Sequence, residues 1–322
     1  MVKAAPRRGL VLGAGGALGG AWMVGALQAL ADEEGFEPRS VDVVLGTSAG
    51  SVVAGLLGCG VPVADLAHRL DTSDEPHVEG TGPVNPFDVH EALATVPRPV
   101  LLPGNLRLAA RTIWRPHRHT LLTMAAGLAP RGRGDLGVLA ELIAEANADG
   151  PGWPRRPQTW IAAMDFDSGR RVIFGRDGTA EVPLPDAVIA SCAAPGFFPP
   201  VRIGGHRYVD GGAVSMTNAD VLVGTPVDDV LVLAPMATYE PTRRWSAVGQ
   251  AELGLRRRVT HRLDIEVARL VAAGVRVRVL TPTATDLEVM GLNVMNPARR
   301  REVFTTALST TPEQLDRQHS LR

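Results

Sequence analysis

Cysteine, lysine and net charge are all scarce in this chain, and each shortage narrows the possibilities. Its 322 residues contain only Cys59 and Cys192, too few for a disulfide framework, so a reducing compartment such as the cytoplasm is favoured. Lysine occurs once, as Lys3, and the other 32 basic residues are arginine, an imbalance that we attribute to coding bias. The formal net charge is −1. No overall field therefore draws the chain to nucleic acid or to an acidic membrane.

Apolar stretches long enough to cross a membrane are scarce as well. An uncharged stretch runs from Gly9 to Leu30 behind Lys3, Arg7 and Arg8, which leaves a secretory signal, including the twin-arginine type, as an alternative. Seven of its 22 residues are glycine, and Ala-Asp-Glu-Glu-Gly follows where a signal would be cleaved, so the stretch suits a membrane poorly. We predict a buried strand, a glycine turn and a helix in a soluble, cytoplasmic protein with peripheral contact at a membrane surface.

Two strand–turn–helix units occupy the first 60 residues. Strands are predicted at 9–12 and 41–45, and each runs into a glycine-rich turn and a helix, the first from about 20 to 34. Repeated units of this kind build a parallel sheet with helical crossovers. A hairpin at 159–164 and 171–174 follows. Further elements complete one α/β domain over residues 1–322: strands at 206–209, 229–234 and 275–280, and helices at 136–148, 185–192 and 246–273.

Residues 71–135 interrupt this alternation. Eight prolines break the stretch into short pieces, because proline ends regular elements. Six acidic residues and no Lys or Arg lie between 71 and 97, whereas seven arginines and no acid lie between 98 and 134. We predict an inserted cap or lid at the sheet edge, whose arginines and apolar residues face either water or an anionic lipid surface.

The pentapeptide Gly46-Thr-Ser-Ala-Gly50 directly follows the second predicted strand. A residue in a sharp strand-to-helix turn needs unusual backbone dihedrals, and flanking glycines remove the Cβ clashes that would prevent it. Such an elbow holds the Ser48 hydroxyl above the N-terminus of the next helix, where partial positive charge favours an oxyanion. We therefore predict that Ser48 is a nucleophile; a plain Gly/Ser turn is the alternative.

A second glycine turn, Gly13-Ala-Gly-Gly-Ala-Leu-Gly19, follows the first strand. Its glycines do not have the spacing of a dinucleotide-binding loop counted from Gly13, and the second strand leads into Gly46-Thr47-Ser48 rather than an acid that would hold a ribose. Exposed backbone N–H groups in such a turn form an oxyanion hole instead. Acyl transfer is thus favoured over a nucleotide-binding oxidoreductase.

A serine nucleophile needs a base, and none of the eight histidines has the strand-to-loop setting of a triad histidine. His206 is predicted inside a strand. His117 and His119 have the spacing of two metal ligands, but no third ligand is evident and a solvated surface position is favoured. Asp210 ends an apolar strand and precedes two glycines, a setting for close approach. The alternative for Asp210 is an Asx turn that caps a hairpin.

Four motifs together resemble the patatin-like phospholipase family: GAGGALG at 13–19, GTSAG at 46–50, ASCAAPGFFPP at 190–200 and DGG at 210–212. Their order and spacing match as well. The likeness covers the sheet-forming parts of residues 9–212 and extends over about 230–308. This resemblance implies a three-layer α/β/α sandwich with a mostly parallel central sheet, and catalysis by a Ser–Asp dyad without histidine.

The resemblance also assigns a role to each motif. Ser48 would be the nucleophile, in an elbow formed with Gly46 and Gly50, and Asp210 would be the base. Gly211 and Gly212 would form the dyad loop with this aspartate. The backbone N–H groups of three residues would line the oxyanion hole: Gly15, Gly16 and Ala17. The expected substrate is a lipid or another acyl ester, and no motif indicates a metal, an organic cofactor or nucleic acid.

One position departs from the family pattern. Many members carry an arginine in the glycine turn where this chain has Leu18, so a cation near the developing oxyanion is missing. Two alternatives therefore accompany hydrolysis. The first is an acyltransferase that passes the acyl group to an acceptor other than water, and the second is a lipid-binding module with little turnover.

Overall fold

The computed structural model of the chain describes residues 6–72, 99–114, 121–148, 152–176, 182–240 and 246–320. Within these ranges, eight strands form one central sheet and two more form a small antiparallel sheet. The strands in chain order are β1 (Arg8–Leu12), β2 (Val43–Thr47), β3 (Val100–Pro103), β4 (Pro130–Arg131), β5 (Gln158–Asp165), β6 (Arg171–Phe174), β7 (Val201–Ile203), β8 (His206–Asp210), β9 (Asp229–Leu233) and β10 (Arg276–Leu280).

Strands β10, β9, β1, β2 and β5 lie side by side in that order, β8 follows β2 along the same edge of β5 and pairs with β7, and β6 pairs with the other edge of β5. The strands from β10 to β5 are all parallel, whereas β6, β7 and β8 join the sheet by antiparallel pairing. Residues on successive positions of a strand face opposite sides of a sheet. In β1, Leu10 and Leu12 enter one apolar core and Val11 enters the other. Both faces of the sheet are therefore covered.

Ten helices flank the sheet in the described ranges: α1 (Gly16–Glu34), α2 (Ala49–Gly58), α3 (Val63–Asp71), α4 (Leu106–Trp114), α5 (Leu121–Leu128), α6 (Gly137–Ala146), α7 (Leu184–Cys192), α8 (Ala247–Ala272), α9 (Ala284–Met290) and α10 (Arg300–Ser320). Helices α1, α2, α3, α6, α7, α9 and α10 contribute to the core on one face. Helix α8 contributes to the core on the other face. The predicted three-layer α/β/α fold with a mostly parallel sheet is confirmed.

Two predicted boundaries were wrong. Helix α1 begins at Gly16, about four residues earlier than predicted. Glycine disfavours helix locally, but the added turn packs closely, since a Cβ on Gly16 would lie 2.5 Å from the Met295 sulfur and a Cβ on Gly19 would lie 3.2 Å from the Pro235 side chain. Strand β2 begins at Val43 rather than at residue 41. The backbone N–H of Arg8 donates to the Asp42 carboxylate (2.7 Å), so the Asp42 side chain, rather than a backbone carbonyl, is the acceptor just before this strand begins.

The described part of the predicted cap consists of α4, α5 and the β3–β4 hairpin. Its helices pack on the sheet through Leu108 and Ala126, which join a small apolar core with Met164, Phe166 and Val209. Residues 73–98 and 115–120, which include the predicted surface pair at positions 117 and 119, lie outside the described residues. In the described ranges, no helix has both the length and the apolar character needed to cross a membrane.

Candidate active site

Strands β2 and β8 meet end to end along one edge of β5. Thr47, the last residue of β2, pairs with Ala162, and Asp210, the last residue of β8, pairs with Ala163. On the opposite edge of β5, both alanines pair with β6. Because β2 runs parallel and β8 antiparallel to β5, their carboxyl ends point toward each other. This register brings Ser48, which follows Thr47, next to Asp210.

Ser48 has a backbone conformation that residues other than glycine rarely adopt, with φ 54° and ψ −123°. The glycines on either side of it permit close packing. A Cβ on Gly46 would lie 2.5 Å from the carbonyl oxygen of Gly50, and a Cβ on Gly50 would overlap the carbonyl group of Leu12 in β1. The elbow therefore has room for no side chain at either flanking position, and Ser48 projects from the start of α2.

Ser191 is a second serine at the site, and the motif around it had suggested no role for its side chain. Its fully buried hydroxyl donates a hydrogen bond to the Ala162 carbonyl oxygen (2.6 Å) and accepts one from the Ser48 N–H (2.9 Å). Ala162 lies where β2 ends along β5. One hydroxyl thus joins the backbone of Ser48 to the strand that positions it.

Asp210 is buried at the end of β8 and faces Ser48. Its carboxylate accepts a hydrogen bond from the Gly212 N–H (2.7 Å). This is the bond of an Asx turn, so the predicted alternative for Asp210 describes part of its geometry. Burial raises the pKa of Asp210 to about 6, and the Gly212 N–H and the Ser48 hydroxyl oppose part of this shift. A carboxylate with this pKa is both ionised near neutral pH and basic enough to accept a proton.

The glycine turn lies on the other side of Ser48. The N–H groups of Gly15, Gly16 and Ala17 have no hydrogen-bond acceptor among the described residues, and all three residues line the cavity beside Ser48. The next N–H, that of Leu18, donates to the carbonyl oxygen of Val294 (2.9 Å). Gly16 has φ 62°, in the left-handed region that favours glycine. The turn therefore presents a row of free donors toward the cavity.

The cavity beside Ser48 and Asp210 has a volume of about 600 Å³. Its wall is largely apolar and includes Val52, Leu122, Leu139, Phe198, Met236 and Val294. None of the described residues in this wall is Arg, Lys or His, and the Leu18 side chain is fully buried in the core. Helices α1 and α2 both begin at this wall, so positive potential comes from their amino ends.

Cys192 is a further nucleophilic side chain in the cavity wall. Burial, together with the negative charge of Asp210, raises the pKa of the Cys192 thiol to about 12. Its sulfur lies 3.6 Å from the Ser51 hydroxyl oxygen. A thiol with this pKa stays protonated at neutral pH and is a poor nucleophile.

The described histidines do not reach Ser48. None of them lines the cavity, and His206 at the start of β8 has a side chain that is 66% exposed and lies 3.4 Å from the Asp165 carboxylate. Across the described ranges, nowhere do three or more His, Cys, Asp or Glu side chains gather in a group that could hold a metal ion.

The sequence profile of the family described as patatin-like phospholipase matches residues 10–223, two thirds of the chain, including every motif discussed above. The chain belongs to this family. Patatin-like phospholipases are lipid ester hydrolases, and the elbow serine, the buried aspartate and the glycine turn all lie within the matched range. Leu18 lies there too, at the position in the glycine turn where many members of the family carry an arginine.

Three solved structures resemble this chain. VipD from Legionella pneumophila has 18% identity and a TM-score of 0.45, and the match covers 97% of this chain and 67% of VipD. The type III effector ExoU has 19% identity and a TM-score of 0.38, over 97% of this chain and 53% of ExoU. The heterodimeric ExoU–SpcU complex of Pseudomonas aeruginosa matches with 18% identity, a TM-score of 0.32, and 97% and 60% coverage.

The patatin-like chain thus spans between about half and two thirds of the length of these structures. With identities this low, the likenesses carry no inference about substrate or partner. No curated protein sequence matches the chain at a significant level.

Proposed function

We propose that this chain hydrolyses acyl esters of lipids by a Ser48–Asp210 dyad through an acyl-enzyme. The observation that carries the proposal is the strand register that brings Ser48 next to the buried Asp210 carboxylate, whose pKa is about 6. A hydroxyl beside a base of this strength is the arrangement that activates a serine nucleophile. The strained elbow holds that hydroxyl at the wall of the apolar cavity.

Each step uses one group of the site. As the Ser48 oxygen attacks the ester carbonyl carbon, its proton passes to the Asp210 carboxylate. The N–H groups of Gly15, Gly16 and Ala17 donate to the oxyanion of the tetrahedral intermediate. When the bond to the leaving alcohol breaks, Asp210 returns the proton to that alcohol. Water then attacks the acyl-enzyme, Asp210 takes a proton from the water, and the proton returns to Ser48 as the acid leaves.

The cavity supports a lipid substrate. Its wall is formed mostly by aliphatic side chains, sulfur-containing side chains and phenylalanine, which favour an acyl chain over a polar group. No described residue of the wall is a cation, and in the described site backbone N–H groups and helix amino ends stabilise the oxyanion. Leu18, whose side chain is buried in the core, stands where many family members carry an arginine. This difference favours a slower turnover than in those members.

The test is steady-state hydrolysis of soluble p-nitrophenyl esters of increasing chain length and of phospholipids. Ser48→Ala is expected to abolish turnover, and Asp210→Asn is expected to lower kcat by about 10²- to 10⁴-fold, the range for loss of a general base. Ser309→Ala removes an exposed serine hydroxyl on α10 and serves as the matched control. Unchanged activity in both dyad variants would refute the assignment.

Product analysis separates hydrolysis from acyl transfer. With an alcohol such as glycerol added, a hydrolase releases free fatty acid, whereas an acyltransferase releases a new ester. Failure of a fluorophosphonate to label Ser48 would favour the lipid-binding alternative.

A further inference from the structure

Exposed apolar side chains surround the mouth of the cavity. Phe197 and Leu292 line the cavity and are also among the exposed large apolar residues. Leu102 precedes Gly104, whose N–H donates to the Ala129 carbonyl oxygen at the end of α5 (2.8 Å). These apolar groups therefore lie on segments that meet at the cavity entrance. Isolated exposed leucines are ordinary, but a cluster beside a lipid-ester site indicates a contact surface.

Helix α5 has two adjoining apolar stripes. Leu122 and Ala126, four residues apart on one side of the helix, line the cavity. Leu121, Ala125 and Leu128 follow helical spacing on the neighbouring side, where Leu121 is 64% exposed and Leu128 is 51% exposed. Ala125 also lines the cavity. The outward stripe thus adjoins the substrate cavity directly.

Arginines lie beside this stripe, and the nearest acidic residue in sequence is Asp135, whose carboxylate accepts a hydrogen bond from the Gly137 N–H (2.9 Å). Among the described residues of 99–114 and 121–134 there are arginines and no acidic residue. Arg131 and Arg133 are exposed, and no described residue forms an ion pair with either of them. The Arg133 N–H donates to the Phe197 carbonyl oxygen (3.1 Å), which places this arginine at the cavity mouth. We name Leu121, Leu128, Phe197, Arg131 and Arg133 the docking face.

The docking face is tied to the dyad loop by a buried hydrogen bond. Thr123, on the inner side of α5, donates from its hydroxyl to the carbonyl oxygen of Ala213 (2.9 Å). Ala213 ends the short 3-10 helix Gly211–Ala213 that directly follows Asp210. Only the thickness of one helix, about 10 Å, separates the outer stripe of α5 from this loop.

We propose that the docking face binds an anionic lipid surface and so delivers lipid from that surface to the cavity. The inference rests on the proposed hydrolysis of lipid esters. Leucine and phenylalanine side chains enter the boundary between headgroups and acyl chains, while arginines bind lipid phosphates. A second copy of the chain fits less well. A symmetric contact through this face would bring Arg131 and Arg133 of each copy against the same positive charges of the other.

The experiment measures cosedimentation with phosphatidylcholine vesicles, with and without phosphatidylglycerol. Ser48→Ala protein is used throughout, so the vesicles are not consumed. Binding is expected with the anionic vesicles and is expected to weaken as salt rises. Arg131→Gln with Arg133→Gln is expected to weaken partition about thirty-fold at low salt. Leu121→Ser with Leu128→Ser is expected to weaken it by at least about tenfold.

A matched control combines Val271→Ser with Arg155→Gln. Both residues are exposed, and they lie at the amino ends of the parallel strands, opposite the site. This control is expected to bind vesicles like the parent protein. Equal binding by the docking-face variants and the control would overturn the proposal. Two other results would overturn it as well. One is a dimer in solution that Leu121→Ser with Leu128→Ser abolishes, and the other is capture of an acidic protein in preference to anionic vesicles that the same two substitutions abolish.

A second readout separates this proposal from the proposed function. The docking-face substitutions, made in a chain that retains Ser48, are expected to leave hydrolysis of a soluble short-chain ester unchanged and to slow hydrolysis of vesicle lipid. If the parent chain does not hydrolyse the soluble ester, the proposed function fails, and vesicle binding by the Ser48→Ala protein still tests the docking face. Equal losses on both substrates would overturn the docking role, since they would indicate general damage to the fold.

Discussion

The substitution Asp210→Asn is expected to stabilise the protein while it removes the catalytic base. The pKa of Asp210 rises from its ordinary value of 3.8 to about 6, and burial is the largest cause. One pKa unit corresponds to about 1.4 kcal/mol, so the ionised carboxylate costs about 3 kcal/mol of folding free energy above pH 6. The neutral amide avoids this cost. Its oxygen can still accept from the Gly212 N–H, and its NH₂ can donate to the Ser48 oxygen.

The sign of the pH dependence follows from proton binding. Between about pH 4 and pH 6 the native protein holds a proton on Asp210 that the unfolded chain has released. The stability of the parent protein therefore falls as pH rises through this window, and the loss is complete above pH 6. Urea unfolding of parent and Asp210→Asn proteins should give similar free energies near pH 4. At pH 8 the variant should be more stable by up to about 3 kcal/mol.

Asp220 provides a control of opposite sign. Burial alone would raise the pKa of Asp220, but the hydrogen bond from Arg171 and the charges of Arg171, Arg262 and Arg269 outweigh it, so this pKa is lowered. Its ionised form therefore stabilises the native state at neutral pH. Asp220→Asn is expected to lose stability at pH 8, where Asp210→Asn gains it. If Asp210→Asn were no more stable than the parent protein at pH 8, the conclusion that Asp210 is ionised while buried would be refuted.

Three further expectations concern the same site. The kcat/KM for a soluble ester should fall below an apparent pKa near 6, because Asp210 must be ionised to act as a base; a profile that stays flat down to pH 5 would contradict this. Gly50→Ala should abolish soluble expression, because its Cβ would overlap a β1 carbonyl group, whereas Gly254→Ala, with open space around it on α8, should gain about 0.5–1 kcal/mol in urea unfolding. Ser191→Ala should lower kcat about 10- to 100-fold with little change in KM, because the Ser48 N–H loses its acceptor; a change confined to KM would contradict a positioning role.

Local chemistry made the elbow and the end of β8 predictable from sequence. The steric demands of a sharp strand-to-helix turn are met by Gly46 and Gly50, which can be read directly from the pentapeptide. Asp210 likewise ends an apolar strand before two glycines. The parallel core of the sheet was also predictable, because strands β1 and β2 each run directly into a helix.

Contacts between distant segments could not be predicted in this way. Nothing within β2 or β8 specifies that they meet end to end along β5, since that arrangement depends on the pairing of both strands with a third. The Ser191–Ser48 hydrogen bond joins positions 143 residues apart. The Leu18 N–H donates to the carbonyl oxygen of Val294, which belongs to a segment beyond residue 223, where the family match ends. Helix α1 extends into its glycines because tertiary packing offsets their low helix propensity.

The central claim is that Ser48 is a nucleophile activated by Asp210, and covalent labelling tests it most directly. The purified chain is treated with a fluorophosphonate, and the modified residue and its rate of modification are measured by mass spectrometry across pH. We expect one phosphonyl group on Ser48, a rate that falls below about pH 6 with the ionisation of Asp210, and at least 100-fold slower labelling in Asp210→Asn. Modification of a different residue, or labelling of Ser48 at the parent rate in Asp210→Asn, would contradict the claim.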